Sequence, residues 1–475
     1  MTHLQETTQH YTPHATLCAI GIKIRSLNLF DTIKEHVFIK QKTIRHTPVE
    51  KLHDAFIAIL AGAHGLCEIN TRLRSDESLQ RAFGRTSCAE QSVVQQTLNA
   101  CTARNVAEMQ QAVDLIFRRH SKAYRHNYRR RWQLLDIDMT GMPCSKRAEI
   151  SAKGYFSTKG IRYGRQLGRV VATHYQEIVT DHLYPGNVQL SKALRQLVAL
   201  AEATLELNDY RRSRTILRMD AGGGSLDEVN WLLARGYQLH GKDISTKRAE
   251  GWAYTVKSWY DDPQHPGRQV GWAEPETTPD YVRPVKRLVI RWHKRNGQTS
   301  YGMLISTLAP HDVLGLLGQP ASDARHPENL CRAYAQLYDK RGGAVEIQIK
   351  EDKQGFGMVK RQKRKAEAQD MLVLLNQLAH NVLMWARNWL TATAPKLARF
   401  GILRLVRDLL SVSGMIELNQ RNNSIKRIIL NRAAPFASGF FNALRALLLP
   451  QVAAAGVDYF ARNLGHNYYY RTPRM

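Results

Sequence analysis

Apolar residues recur at helical spacing over much of the first 130 residues. From Pro48 onward, four apolar side chains fall on one helix face: Leu52, Phe56, Ile59 and Leu60. The same kind of spacing predicts further short helices at 76–83, 89–100 and 105–117. The outward polar side chains of 89–100 fit either a recognition helix or ordinary helical packing. Residues 1–40 are weakly patterned, so we expect that segment to be only partly ordered.

At Trp132 the pattern changes from helical spacing to short apolar runs separated by turns and helices. Buried strands are predicted at 134–138, 169–174, 178–183, 215–220 and 237–241. A helix is predicted at 190–205, and a second helix follows the capping box that begins at Ser225. Strands and helices that alternate in this way are typical of an α/β sheet.

The alternation of strands and helices stops between residues 246 and 304. Aromatic and apolar residues there alternate with polar ones and are separated by turn pairs such as Asn296-Gly297, which predicts a β-rich insertion. Helices resume near Pro310, a long helix is predicted at 366–390, and the last 80 or so residues should be mostly helical. The predicted fold class is therefore multidomain α/β, in which a β-rich insertion interrupts the sheet and helical regions flank it.

The charge balance indicates a polyanionic partner. The 475 residues include 68 Lys plus Arg against 41 Asp plus Glu, a net charge of +27. Nucleic acid is the commonest polyanion that a basic chain binds, although a basic protein with another partner remains the alternative. The hydrophobic share of 43% is typical of a globular chain.

Several other classes of protein are disfavoured by the sequence. No run of about 18 apolar residues suggests a membrane span, and the N-terminal residues lack the apolar core of a signal peptide. We therefore expect a cytoplasmic protein; its association with a bacterial nucleoid is an expectation that follows only from the family resemblance given below. The six cysteines are scattered, and the chain has no phosphate-binding loop, nucleophile elbow or His-Glu-x-x-His motif.

Three acidic residues are candidates for a catalytic centre. Asp138 and Asp220 follow apolar residues at the ends of two predicted strands, and Glu346 lies on a predicted helix with Lys353 seven residues further on. A single aspartate at a strand end is as often a helix cap or a turn former. Three clustered carboxylates repel one another and require cations, and oxygen ligands favour Mg²⁺ or Mn²⁺, here as a pair of ions.

Basic runs flank these acids on both sides. Arg129, Arg130 and Arg131 directly precede the first buried strand, while Lys360 and Arg361 follow the predicted helix that carries Glu346. Such runs are usually solvated surface, but their position makes them candidates for binding DNA phosphates near the acids.

The order of these motifs resembles a known family. Asp138 followed by Thr140, Asp220 followed by small residues, and the pattern Tyr338-x-x-Arg341, Glu346 and Lys353 are similar to bacterial insertion-sequence transposases of the DDE type with a Tyr-Arg-Glu-Lys signature. The resemblance implies an RNase H-like core with a mixed sheet. It also implies a β-rich insertion between the second aspartate and the glutamate, where residues 246–304 fall.

The resemblance also implies a function. Such an enzyme cleaves DNA at the ends of a mobile element and joins the freed 3′-hydroxyl to target DNA, with Asp138, Asp220 and Glu346 as metal-binding catalytic acids. Tyr338, Arg341 and Lys353 would contact DNA. The partners would be double-stranded DNA, at terminal inverted repeats and target, and a second copy of the chain in a synaptic homodimer. The alternatives are an RNase H-like nuclease that cuts without joining, and a domesticated DNA-binding protein without activity.

One spacing departs from the family pattern. Four residues separate Arg341 from Glu346, where the family usually has three. On a continuous α-helix the extra residue would rotate the glutamate by about 100°. A late helix start at Gly342-Gly343 could absorb it. Glu351 is the fallback third acid, and Asp136, on the same strand face as Asp138, is the fallback first acid.

These patterns predict six segments along the chain. They are a weakly patterned N-terminal segment at 1–40, a helical DNA-binding domain at 41–130, the first part of the RNase H-like core at 131–245, the β-rich insertion at 246–304, the second part of the core at 305–395, and a basic helical region at 396–475.

Overall fold

The computed structural model describes most of the chain. The described residues are 7–42, 45–156, 160–275, 280–294, 297–420, 422, 424–434 and 437–455. They form two compact units, the first comprising the residues up to Ser121, residues 147–149 and the residues from Lys350 onward, and the second comprising Lys122–Lys146 and Ile150–Ile349.

Within the described residues the strands are β1 (Thr7–Thr12), β2 (Gln133–Pro143), β3 (Ala152–Tyr155), β4 (Ile161–Ala172), β5 (Glu177–Pro185), β6 (Thr215–Met219), β7 (Gln238–Lys242), β8 (Tyr260–Asp261), β9 (Arg268–Trp272), β10 (Lys286–His293), β11 (Thr299–Ser306), β12 (Gly414–Asn419) and β13 (Ile425–Leu430).

The α-helices in the same residues are α1 (Ala15–Arg25), α2 (Leu29–His36), α3 (Pro48–Leu60), α4 (Glu77–Ala82), α5 (Gln91–Ala100), α6 (Ala103–His120), α7 (Leu190–Leu205), α8 (Asp209–Ser213), α9 (Leu226–Ala234), α10 (Thr246–Ala253), α11 (Pro310–Leu317), α12 (Pro327–Arg341), α13 (Ile347–Gly355), α14 (Ala366–Thr391), α15 (Ile402–Arg404) and α16 (Ala437–Ala455). Many begin as the sequence suggests; α3, for example, starts at a capping box between Thr47 and Glu50 with proline in its first turn.

The first unit is built around helix α14, which is buried along most of its length. Helices from both ends of the chain share one hydrophobic core with it, and a small antiparallel sheet of β1, β12 and β13 completes the unit. One expectation about this unit was wrong, because residues 7–36, expected to be only partly ordered, form β1, α1 and α2. The C-terminal region is mostly helical within its described residues, as expected, but it also contains β12 and β13, which we did not predict.

The second unit contains a large mixed sheet, as the resemblance implied. Its strand order is β3-β4-β2-β6-β7-β11-β10-β9-β8, with β5 also paired to β4. Strand β2 pairs antiparallel with β4 and parallel with β6, and β6 pairs parallel with β7. Residues 246–304 contribute strands, as predicted, but these extend the same sheet, because β11 pairs antiparallel with β7.

No described helix has both the length and the hydropathy needed to cross a membrane.

Candidate active site

The register of two parallel strands places Asp138 and Asp220 at the same level of the sheet. The last paired residues of β2 and β6 are Ile137 and Met219, and each aspartate is the next residue in its chain. We expected Asp138 to end its strand, but β2 continues to Pro143 by pairing with β4. It lies where β6 stops, so β2 has lost its neighbour on that side.

Both aspartates have backbone partners that hold their carboxylates in place. Asp220 accepts a hydrogen bond from the backbone N–H of Gly222 at 2.9 Å, and Asp138 accepts one from Met139 at 2.8 Å. Strand β6 is buried throughout, and its end therefore fixes the position of Asp220. Each carboxylate retains acceptor capacity beyond this one bond.

A buried arginine joins the first acid to the third. The guanidinium of Arg341 lies 3.2 Å from Asp138 Oδ1 and 3.0 Å from Glu346 Oε1, and it also donates to the carbonyl oxygen of Ile137. The Arg341 side chain is 3% exposed, against 54% for that of Glu346. The prediction that Arg341 binds DNA is therefore not supported by its position, because its charge is directed at the acids beneath the surface.

A π-helical turn absorbs the extra residue between Arg341 and Glu346. Helix α12 runs without a break to Arg341, and the turn Gly342–Glu346 connects it to α13. Our expectation of a late helix start at the two glycines was wrong. A π-turn widens the helix by one residue, so the helix that follows keeps its direction and the glutamate still faces the arginine. Val345 anchors the turn by packing against Val171 and Ile178.

The proton affinity of Asp138 is raised in this site. Its pKa is raised to about 6, mainly because the carboxyl group is buried; Arg341 lowers the pKa, and the charges of Asp220 and Glu346 raise it. Burial also raises the pKa of Tyr338 to about 12, an effect that the neighbouring carboxylates reinforce. Tyr338 is half-buried beside the acids and stays protonated near neutral pH. The single guanidinium of Arg341 does not balance the charges that the three carboxylates carry when ionised.

The two fallback acids have other roles. Asp136 is fully buried and forms an ion pair with Arg218, with Nε to Oδ1 at 2.6 Å, and accepts a hydrogen bond from Thr173. Glu351 accepts a hydrogen bond from the backbone N–H of Ile402 at 2.8 Å, at the start of α15, in the first unit. Each carboxylate is thus used in a local structural contact.

Arg218 is a residue of the site that we did not predict. Besides pairing with Asp136, it donates to the carbonyl oxygen of Leu337 at 2.7 Å, so it ties β6 and β2 to α12 just before Tyr338. A signal was available in the sequence. Arg218 and Asp136 each interrupt an otherwise apolar predicted strand, and a buried charge in one strand requires an opposite charge nearby.

Replacing Asp136 by asparagine should lower stability rather than metal affinity. Asparagine keeps the shape of the side chain but leaves the buried Arg218 uncompensated, so we expect a loss of about 3–5 kcal/mol in the free energy of unfolding. Urea denaturation of the purified protein measures it. Asp209→Asn is the control, because Asp209 pairs with Arg212 at the surface and is 96% exposed. Equal effects of the two substitutions would contradict the structural role of Asp136.

The predicted basic residues divide into exposed and buried groups. Arg129, Arg130 and Arg131 are exposed in the turn that leads into β2, and Lys360 is exposed. Arg361 is 3% exposed and donates to the carbonyl oxygen of Ala63 and to Asn376. The position of Arg361 does not support the predicted DNA contact, because its guanidinium donates to groups inside the first unit. Lys353 is half-buried and belongs to the first unit, whereas the three acids belong to the second.

A second cluster of possible metal ligands was missed by the sequence analysis. Asp262, His265 and Asp339 present atoms within 4.8 Å of one another, among the residues that the structure describes. Arg268 already lies between the two carboxylates, donating to Asp262 at 2.7 Å and to Asp339 at 3.0 Å. The cluster is therefore an ion-pair network that links β9 to α12, in which the guanidinium of Arg268 is the cation.

Comparison with known proteins gives the family. Residues 24–451 match the family described as transposase DDE domain group 1. No match was found among curated proteins. Among solved structures, the chain is similar to the cryo-EM structure of a piggyBac transposase synaptic complex with hairpin DNA, with 12% sequence identity, 79% of this chain and 84% of that chain covered, and a TM-score of 0.33. Because the family match spans most of its length, the chain belongs to the DDE transposases and is a DNA transposase.

Proposed function

We propose that Asp138, Asp220 and Glu346 are the catalytic acids of this transposase. The observation that carries the proposal is the single guanidinium of Arg341, which contacts both Asp138 and Glu346, together with the strand register that sets Asp220 beside Asp138. Three acidic groups from three separate elements thus lie around one buried guanidinium and one pair of strand ends.

The donor set of these acids fits divalent cations such as Mg²⁺ or Mn²⁺. All three side chains offer carboxylate oxygens, Glu346 is half-exposed, and Asp138 lies close enough to Asp220 and Glu346 for their charges to act on it. When bound, two such ions would help to deprotonate a water or 3′-hydroxyl nucleophile and to stabilise the leaving oxygen. Asp138, Asp220 and Glu346 would hold them.

The surrounding residues keep these acids in place. Arg341 aligns Asp138 with Glu346, and the buried pair of Asp136 and Arg218 fixes the strands and α12 beneath them. The protonated hydroxyl of Tyr338 is suited to donate a hydrogen bond to a phosphate oxygen. Arg129–Arg131 and Lys360 supply exposed positive charge for the DNA backbone, and we keep Lys353 as a candidate phosphate ligand.

The reaction that this arrangement supports has two steps. In the first, water attacks a phosphodiester at the element end, and the bond to the 3′ oxygen breaks to release a 3′-hydroxyl. In the second, that hydroxyl attacks a phosphodiester of target DNA, so one P–O bond forms as another breaks. Because two element ends must meet, we propose that a homodimer of the chain holds them in the DNA-bound complex.

A strand-transfer assay tests the proposal. The full chain is incubated with a labelled duplex that carries the terminal repeat and with a circular target, in Mg²⁺, in Mn²⁺ and in chelator. We expect cleavage and joined product in either metal and neither product in chelator. Cleavage without joining would favour the nuclease alternative, and cleavage in chelator would contradict the metal assignment.

Binding to the element end should weaken steeply with salt. A protein that neutralises six to ten phosphates loses roughly 10³- to 10⁵-fold in affinity between 50 and 200 mM salt. Replacing Arg129, Arg130 and Arg131 by alanine should reduce the slope of log affinity against log salt by about 2.7, if each contacts one phosphate. Fluorescence anisotropy over a salt series measures the slope. Arg104→Ala is the control, because Arg104 is exposed but paired with Glu108 in the first unit; an unchanged slope in the triple variant would remove this turn from the DNA interface.

A further inference from the structure

A β-hairpin in the second unit presents an exposed aromatic face. It consists of β3 and the first residues of β4, with Tyr155 opposite Ile161 and Lys153 opposite Tyr163 in the antiparallel register. These side chains alternate with inward positions and so share one face. Tyr155 is 73% exposed, Ile161 77% and Tyr163 38%. Large apolar side chains are seldom so exposed together unless they contact a partner.

The opposite face of the hairpin is closely packed. A side chain at Gly154 would lie 1.8 Å from the carbonyl oxygen of Gly186, so the two backbones touch. The ring of Phe156 is buried against Gly141 and Gly164, where a Cβ atom would lie 2.0 and 2.6 Å from ring carbons. The hairpin is therefore anchored to β2 and the end of β5, and its aromatic face is held outward as a fixed surface.

The exposed charge of this hairpin is positive. Residues 150–176 contain no aspartate or glutamate, and Lys153 and Arg162 are exposed, whereas Arg165 and Arg169 are buried and Arg169 is paired with Asp181. On the exposed face, the ammonium group of Lys153 lies 5.7 Å from the centre of the Tyr163 ring. Aromatic rings on an exposed sheet face, with cations beside them, are the arrangement on which proteins stack the bases of single strands.

The hairpin lies along the same strands that carry the first acid. Asp138 on β2 is opposite Arg169 on β4, and Ile161 lies eight residue steps before Arg169 along β4. At about 3.3 Å per residue this is roughly 26 Å. Successive nucleotides of one strand of duplex DNA rise about 3.4 Å, so the face is about eight nucleotides of duplex from a phosphate at the acids.

We propose that Tyr155, Ile161 and Tyr163 form a stacking platform for unpaired DNA nucleotides. The inference that bases stack here depends only on the features of the hairpin. The inference that the platform lies about eight nucleotides from the cleaved phosphate rests on the proposed function. Duplex DNA hides its bases from such a face, so the platform selects strands that are separated or overhanging near the element end.

The first test compares single-stranded and duplex DNA. The probes are a labelled 20-nucleotide oligothymidylate and a duplex of the same length, bound to the full chain. In Tyr155→Ala/Tyr163→Ala we expect affinity for oligothymidylate to fall roughly 5- to 100-fold, the range for losing one stacked base, and duplex affinity to change less than about twofold. Tyr155→Phe/Tyr163→Phe should bind like the original chain. Tyr210→Ala, at an exposed tyrosine on α8, is the matched control.

The outcomes separate stacking from other uses of this surface. Unchanged affinity for oligothymidylate, or equal losses on both probes, overturns the platform. A change of oligomeric state in the double alanine variant, measured by light scattering, would instead make the face a protein interface and also overturns it. In a second experiment 2-aminopurine is placed at successive positions of a pre-cleaved end. Quenching that depends on Tyr155 should centre near the eighth nucleotide. Quenching centred at another position would contradict the proposed active site. The platform itself would still stand in that case, provided that the loss of oligothymidylate affinity is observed.

Discussion

Replacing Asp220 by asparagine should abolish cleavage at the element end while leaving DNA binding within about twofold. The substitution preserves the shape of the side chain and its acceptor for the backbone N–H of Gly222, but it removes the charge that would hold a cation. Metal ions contribute several kcal/mol of transition-state stabilisation, so we expect a loss of at least about 10³-fold in the cleavage rate. Binding depends on exposed basic residues elsewhere and should persist.

Gel-shift and cleavage assays on one labelled duplex measure both effects together. Asp227→Asn is the matched control, because Asp227 is an exposed acid in the first turn of α9, close to Asp220 in the chain. The control should cleave at the rate of the original protein. Full cleavage by the Asp220→Asn protein would remove the proposed active site, whatever the family assignment, and loss of binding together with cleavage would indicate a folding defect instead.

Adding a residue to the π-turn should strongly reduce cleavage, whereas removing one should largely preserve it. Inserting an alanine after Gly343 adds a second extra residue, which rotates everything beyond it by about 100° and advances it by about 1.5 Å. Glu346 would then turn away from Arg341 and Asp138, and we expect cleavage to fall at least as far as in Asp220→Asn. Deleting Gly343 restores three intervening residues and an ordinary α-helical turn, so cleavage should stay within about tenfold of the original rate.

The control for both length variants is Gly343→Ala. A Cβ atom at Gly343 meets nothing within 4 Å, so the substitution should leave cleavage unchanged. Far-ultraviolet circular dichroism and thermal denaturation of each variant separate misfolding from misalignment. An inactive but well-folded deletion variant would mean that the π-turn itself is required, and an active insertion variant would exclude Glu346 as the third acid.

Much of the second unit was predictable from residue patterns, because its strands are short apolar runs bounded by turns. The predicted strands at 178–183 and 215–220 correspond to β5 and β6, and the predicted helix at 190–205 corresponds to α7. The extent of β2 was not predictable, since its continuation past Asp138 depends on pairing with β4 rather than on its own residues. Local pattern identifies a strand, but its neighbours decide where it stops.

In the first unit, by contrast, the ordered N-terminal elements could not be predicted from local residue patterns. Helix α1 is buried on almost every side, so its residues lack the alternation of apolar and polar positions by which a surface helix is detected. Strand β1 carries mainly polar residues and is ordered by pairing with β12, about 400 residues later in the chain. The residues Thr7–Thr12 therefore give no local indication that this segment pairs with a strand so far along the chain.

Composition and periodicity by themselves determined that the chain is strongly basic and has an α/β fold class. The order of three acidic residues gave a resemblance to the DDE transposases, and that resemblance suggested their chemistry. Only the tertiary structure decided which charges are paired. It paired Asp136 with Arg218 and buried Arg361 inside the first unit, and a π-turn returns Glu346 to Arg341 despite the extra residue. The physical reason is that a buried charge is stabilised by whichever opposite charge the fold brings within a few ångströms, and that partner can lie anywhere in the chain.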